Sequence, residues 1–173
     1  MGFDKLSAEI CGVSVLERSL QAFEDAERVS SIVVVTSAVN DSLVRSWMDG
    51  KFAKLAHVVP GGAERADSVA AGLAAVGEEF SGVIAVHDAA RPMVSPESID
   101  EVIEVAAAHG AATLARPVAD TLKRVDENGE VMGSLDRNGV WGMETPQCAR
   151  AELMRDAVAL ARSADASTIT DEV

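Results

Sequence analysis

The sequence is poor in cysteine, in aromatic side chains and in positive charge, with 2 Cys, 3% aromatic residues, and 15 Lys and Arg against 28 Asp and Glu in 173 residues. Cys11 and Cys148 stand far apart and belong to no CxxC or related spacing, so nothing suggests a zinc site or a disulfide framework. A net charge of −13 argues against broad binding to DNA or RNA, because a phosphate backbone would meet repulsion and release few counterions. A small anionic ligand is compatible with that charge where basic residues cluster. No run of about 18 apolar residues occurs, and no basic segment followed by an apolar one opens the chain, so neither a membrane span nor a signal peptide is legible. The expected setting is reduced and cytoplasmic. What the chain has in quantity is aliphatic surface: 48% of its residues are apolar. A chain of this length can bury roughly 70% of its unfolded surface, enough for one domain with an unstapled core.

Apolar runs rich in Val and Ile alternate with segments of helical period, the pattern of an α/β domain with a parallel sheet and covering helices. Ile32 to Val35 and Val83 to Val86 read as buried strands, and Leu55 to Val59 as a weaker third. Ser95 is an N-cap ahead of Pro96, Ile99, Val102, Ile103 and Ala106 follow at helical spacing, and Gly110 closes the run. Val13, Leu16, Leu20 and Phe23 form a second stripe, and Val69, Leu73 and Val76 a third. Beyond residue 110, Ala111 to Val118 reads as a strand. Thr121 to Val125 and Val131 to Leu135 flank Asn128-Gly129, which predicts a β-hairpin on a type I′ turn appended to the sheet. At the front a helix is expected from about residue 14 with no strand before it. At the back Thr168 and Asp171 have capping-box spacing, which announces a further helix.

The chemistry begins at Val86-His87-Asp88-Ala89-Ala90-Arg91-Pro92, directly after a buried strand. In open α/β sheets ligands bind beyond the carboxyl ends of strands. Asp88 can offer Mg²⁺ an oxygen ligand, and Arg91 can meet a phosphate with its planar fork of donors, a pairing suited to a nucleoside triphosphate. The same spacing also suits a helix cap and a structural ion pair. A second constellation, Gly61-Gly62-Ala63-Glu64-Arg65-Ala66-Asp67-Ser68, joins a strand to a helix. Paired glycines let a backbone approach a base or phosphate, and the helix N-terminus favours an anion; on its own, Gly-Gly in a strand-to-helix loop more often serves turn geometry only.

Five segments in order carry a resemblance: Gly61-Gly62-x-Glu64-Arg65-x-Asp67-Ser68-Val69-x-x-Gly72-Leu73; Val86 to Pro92; Pro117-Val118-x-Asp120-Thr121-Leu122-Lys123-Arg124; Asp136-Arg137-Asn138-x-x-Trp141-x-x-x-Thr145-Pro146-Gln147; and Ile169-Thr170-Asp171-Glu172. Over nearly its whole length the sequence resembles the 2-C-methyl-D-erythritol 4-phosphate cytidylyltransferase family of the non-mevalonate isoprenoid pathway. The resemblance implies a Rossmann-like, mostly parallel sheet with helices on both faces and a protruding β-arm over about residues 119–145. It implies transfer of CMP from CTP to methylerythritol phosphate with release of pyrophosphate, and a need for Mg²⁺. By position, Gly61, Gly62, Arg65, Ser68 and Ala89 fall on the CTP side, and Asp88 touches metal and substrate. Arg91, Thr121, Arg137 and Thr145 fall where the family holds methylerythritol phosphate. In the family the arm crosses to a second subunit, so a homodimer is implied in which Arg137 and Thr145 complete the partner's site.

Lys5 matches the lysine that closes the family's glycine-rich phosphate loop, and its implied role is catalytic. The attacking phosphate is already anionic, so no general base is needed, and a fixed ammonium stabilises the charge that grows on the transition state. At 4 Å and an effective dielectric of 20, an opposite charge is worth about 4 kcal/mol, or about a thousandfold in rate. The family also implies a strand and glycines before Gly2 and a further phosphate-contacting lysine after Val173, so the chain reads as the middle of a longer domain that alone turns over poorly. Ala63 replaces a frequent acidic residue and Cys148 a usual aromatic. Cys148 reads as a packed side chain rather than a nucleophile, His87 as an orienting residue, and His57 and His109 as ordinary surface or strand-edge residues. Two rival readings are a non-catalytic nucleotide-binding homologue and a nucleotidyltransferase of the same fold acting on another phosphate.

Overall fold

The structure is a computed structural model, and it describes residues 5–163. The capping box at Thr168 and Asp171 and the segment Ile169 to Glu172 lie outside the described residues. The elements run β1 (Glu9–Ile10), β2 (Val13–Ser14), α1 (Val15–Asp25), β3 (Ile32–Thr36), α2 (Asp41–Trp47), β4 (Leu55–Pro60), α3 (Arg65–Val76), β5 (Val83–Val86), α4 (Pro96–His109), β6 (Ala111–Pro117), β7 (Lys123–Val125), β8 (Val131–Ser134), β9 (Trp141–Arg150) and α5 (Ala151–Ser163). Among the described residues no helix is long and apolar enough to cross a membrane.

The Val/Ile runs form strands because their side chains alternate between two apolar layers. Ile32 and Val34 pack with Leu16 and Leu20 of α1, with Val44 and Trp47 of α2 and with Ile99 of α4. On β5, Val83 and Ala85 lie with Val102 and Ala106 of α4, while Ile84 and Val86 lie with Val69 and Leu73 of α3 and Met154 and Val158 of α5. Helices therefore cover both faces, as expected. The helix from Pro96 matches its signals closely: the Ser95 Oγ accepts from the Ser98 N–H at 3.2 Å, and Gly110 closes the C-terminus with φ 101°.

β3 and β4 pair in parallel. A second sheet has the order β5-β9-β6, with β9 antiparallel to both neighbours, so β5 and β6 run the same way on either side of it. The periodicity did not expose β9, α2 or α5. β9 carries Pro146, which ordinarily argues against an interior strand, yet Thr145 through Ala149 are buried.

Two local expectations are corrected. The helix α1 is preceded by strand, because β1 and β2 make a two-residue antiparallel ladder closed through Cys11 (φ 52°) and Gly12 (φ 76°). The hairpin β7–β8 is present, but as its own two-stranded sheet and without a type I′ turn. Of its two turn residues only Gly129 has positive φ, 83°. The Gly129 N–H donates to the Asp126 carbonyl at 3.1 Å, and the Asp126 carboxylate accepts from the Asn128 and Glu130 N–H groups, each at 2.9 Å. That is a type I turn followed by a glycine bulge, with aspartate holding the turn. Those backbone donors, Glu130's first, hold the Asp126 carboxyl below its ordinary pKa.

Candidate active site

Three chain segments converge beyond the end of β5: the strand-to-helix loop ahead of α3, the His87–Arg91 turn and the buried half of β9. Asp88 is the hub. Its Oδ2 accepts from Arg91 Nε at 3.1 Å, and its Oδ1 lies 3.7 Å from Arg65 Nε. Arg65, the first residue of α3, also donates through Nη2 to the Oε1 of buried Gln147 at 3.2 Å. The ion pair foreseen as the structural alternative for Asp88 and Arg91 is thus present, and a second cation shares the carboxylate. All three charged side chains remain partly exposed.

A relay of neutral hydrogen bonds holds Asp88 in place. The Asp88 N–H donates to Thr145 Oγ1 at 3.2 Å, Thr145 Oγ1 lies 2.9 Å from His87 Nδ1, and His87 Nε2 lies 3.1 Å from the Arg91 carbonyl. A carbonyl only accepts, so Nε2 carries the proton and Nδ1 accepts from the Thr145 hydroxyl. Phe23 packs on the imidazole with ring centroids 5.0 Å apart. The geometry fits an orienting role for His87. Burial pushes its pKa below the ordinary 6.5, outweighing the bond to the Arg91 carbonyl and the nearby Asp88 carboxylate.

The pH consequence has a definite sign. A base whose folded pKa is lowered binds its proton more readily in the unfolded chain, so this contribution is complete above the unfolded value near 6.5 and is lost as pH falls below it. The melting temperature should fall more steeply between about pH 7.5 and 5 in the parent than in His87→Asn, measured by circular dichroism. Equal slopes would remove His87 as the cause.

In the glycine loop, Ser68 Oγ accepts from the Gly62 N–H at 3.1 Å and lies 3.2 Å from the Glu64 carbonyl, while the Gly61 N–H donates to the Thr36 carbonyl at 2.9 Å. A Cβ at Gly62 would stand 2.2 Å from Asp67 Cβ, so close approach of α3, rather than positive φ, requires glycine there. Ala89 sits against α1, its carbonyl accepting from Ser19 Oγ at 2.7 Å. Lys5 is exposed and lines the same cavity as Arg65, Asp88 and Arg91.

The other site residues divide. Thr145, expected in a partner's site, is buried and bonded to His87 and Asp88 of its own chain, because β9 is paired along β5. Thr121 and Arg137 stand exposed on the arm, where Arg137 donates through Nη1 to the Ala119 carbonyl. Cys148 is buried, and burial pushes its thiol pKa up to about 12, as befits a packed side chain. Gln147 has no role legible in the sequence beyond its place in a motif; only the course of β9 brings it to Arg65.

The sequence model of the family described as IspD, 2-C-methyl-D-erythritol 4-phosphate cytidylyltransferase, matches residues 1–173. A relative of that name from Pelotomaculum thermopropionicum is 39% identical over 155 residues, covering 88% of this chain and 65% of the relative. The chloroplastic protein of that name from Oryza sativa subsp. japonica is 36% identical over 164 residues, covering 95% of this chain and 54% of its own. The crystal structure of the Francisella tularensis protein of that name superposes with a TM-score of 0.80 at 28% identity, over 98% of this chain and 77% of that one. The chain therefore spans about half to two thirds of the length of these curated relatives.

Proposed function

The chain belongs to the 2-C-methyl-D-erythritol 4-phosphate cytidylyltransferase family, and from that premise we propose that the protein transfers the cytidylyl group of CTP to the phosphate of 2-C-methyl-D-erythritol 4-phosphate. The supporting observation is the Arg65–Asp88–Arg91 cluster beside the Gly61–Gly62 loop at the carboxyl end of β5. An acceptor phosphate oxygen forms a bond to the α-phosphorus of CTP, the bond from that phosphorus to the bridging oxygen breaks, and pyrophosphate leaves with the electron pair. The acceptor is already ionised, so the chain's task is to position two anions and stabilise added charge. Gly61, Gly62 and Ser68 would take the nucleoside end, Arg65 and Lys5 the phosphates, and Arg91 with Thr121 and Arg137 the acceptor.

Mg²⁺ belongs to this reading. Among the described residues no three potential His, Cys, Asp or Glu ligands come together, so an all-protein cage is not formed. The ion fits the other common arrangement, one carboxylate plus substrate phosphates. Asp88 would be that carboxylate, and incoming phosphates would draw Arg65 and Arg91 away from it. When bound, the ion neutralises phosphate charge.

A homodimer through the arm is also proposed, supported by exposed Val125, Val131, Met132 and Trp141 on β7, β8 and β9; sedimentation velocity checks it. A cytoplasmic setting is part of the proposal, supported by the two free cysteines. Arg137→Ala should raise KM for methylerythritol phosphate by about 10–100-fold, the loss of one charged hydrogen bond, and move KM for CTP much less. An equal rise for both substrates would remove the arm from the acceptor site.

The test of function is pyrophosphate release with CTP, Mg²⁺ and a panel of phosphorylated acceptors. Release with methylerythritol phosphate supports the reading. Release only with another acceptor favours a different nucleotidyltransferase, and CTP binding with no release favours the non-catalytic alternative.

A further inference from the structure

Among the described residues Gln147 is the most deeply buried polar side chain, 2% exposed, and it stands on the middle strand of the β5-β9-β6 sheet. Its backbone is in register with Val86 of β5 on one side and with Thr113 of β6 on the other, so two ladders fix where its side chain starts. Burying an amide costs free energy unless it is bonded. Gln147 bonds a charged partner 82 residues away in the sequence: its Oε1 accepts from Arg65 Nη2 at 3.2 Å. Two residues earlier on the same strand, Thr145 Oγ1 accepts from the Asp88 N–H. The inner half of β9 thus touches both members of the Arg65–Asp88 ion pair.

Arg65 is held by two groups of different kinds. Asp88 Oδ1 lies 3.7 Å from its Nε, close enough to attract the charge but beyond hydrogen-bond distance. Gln147 is within bonding distance, and a hydrogen bond is directional. The carboxylate therefore supplies attraction and the amide supplies orientation. Orientation matters for arginine, whose donors form a rigid planar fork on a long stem that loses rotamer freedom when it binds. The neutrality of the amide matters as well. A second carboxylate here would compete with phosphate for the guanidinium and would repel a triphosphate; a glutamine does neither, so its bond can persist when phosphates arrive. We propose that Gln147 is the positioning residue of the nucleotide site: it holds the Arg65 guanidinium ready for the phosphates of CTP and keeps it oriented when Asp88 releases it. This deepens, and rests on, the reading of the cluster as a CTP site. The effect of Gln147 is confined to the phosphates, because the nucleoside end falls to Gly61, Gly62 and Ser68 in that reading.

The test is calorimetric titration of CTP with Mg²⁺, and separately of cytidine, into the parent and two variants. Gln147→Met keeps an unbranched side chain of similar length and removes the acceptor. Its Kd for CTP should rise about 3–10-fold, the cost of ordering one long side chain on binding, and its Kd for cytidine should stay at the parent value. In an Arg65→Ala background the same substitution should add nothing, since the two residues act as one unit. The nitrogen resonance of Arg65 Nε gives a readout without ligand: rotation about the Nε–Cζ bond should be slow in the parent and fast in Gln147→Met. Gln147→Glu keeps the bond and slow rotation but adds charge, so it too should weaken CTP and leave cytidine unchanged. Parent-like CTP affinity in either variant, an equal loss for cytidine, an equal loss without Arg65, or fast rotation already in the parent would overturn the role of Gln147 and leave the CTP site standing. A parent that binds no CTP would overturn the site reading and this inference with it. If Gln147→Met fails to fold, Gln147→Glu and the parent's Arg65 resonance decide.

Discussion

Asp88→Ala should lower kcat/KM for cytidylyl transfer by about 10²–10³, the usual loss when one preorganised electrostatic group is removed. The carboxylate sets where two guanidinium groups stand before substrate arrives: Arg91 at 3.1 Å and Arg65 at 3.7 Å. It is also the protein oxygen available to Mg²⁺ in the proposed mechanism. Stability should hardly move, since all three side chains are more than a third exposed and ion pairs of that kind are worth about 0–1 kcal/mol. This separation distinguishes the functional from the purely structural ion pair. Asp88→Asn keeps the side chain's shape and loses its charge, so it should be nearly as slow as Asp88→Ala. If the asparagine variant works at the parent rate, the carboxylate serves only to fix the turn.

Thr145→Val should act in the opposite way, on the scaffold. The substitution preserves shape and branching but removes the hydroxyl that joins the Asp88 N–H to His87 Nδ1, leaving a donor and an acceptor without their partner. Thr145 is 6% exposed, so water does not readily replace its hydroxyl. The expected loss is about 1–3 kcal/mol, or a fall of about 2–12 °C in melting temperature. Thr145→Ser should recover most of it. A valine variant that melts with the parent would mean that the relay does not hold the His87–Arg91 turn. The nitrogen shifts of His87 give an independent readout, because Nδ1 loses the hydroxyl it accepts from while Nε2 stays bonded to the Arg91 carbonyl.

Much of this arrangement could be read from residue patterns. Strands β3 and β5 stand out as Val-rich runs because both their faces meet apolar layers, β4 is a weaker run because Ala56, His57 and Pro60 are exposed, and α4 announces itself through Ser95, Pro96 and Gly110. β9 did not, because its outer half lies on the exposed arm and its inner half contains Pro146, so neither alternation nor a continuous apolar run survives. That one strand carries Thr145 and Gln147. Its antiparallel course along β5 is tertiary information that no local pattern holds, and it brings Thr145 against Asp88 of the same chain. The hairpin turn departs from type I′ for a local reason: Asp126 captures the neighbouring N–H groups and leaves positive φ to Gly129 alone. Gly62 was open to two readings, and the structure gives it a packing requirement that a nucleotide-facing role does not displace.

In the proposed function, the α3 loop, the turn after β5 and the inner half of β9 form one site for CTP. Backbone amide shifts recorded while CTP and Mg²⁺ are titrated into the protein test it most directly. Shifts concentrated at Gly61, Gly62, Ser68, Asp88, Ala89 and Gln147, saturating together with one Kd and diminished in Asp88→Ala, are the predicted result. Saturable shifts that leave these residues still, or that fall on the arm alone, would contradict it.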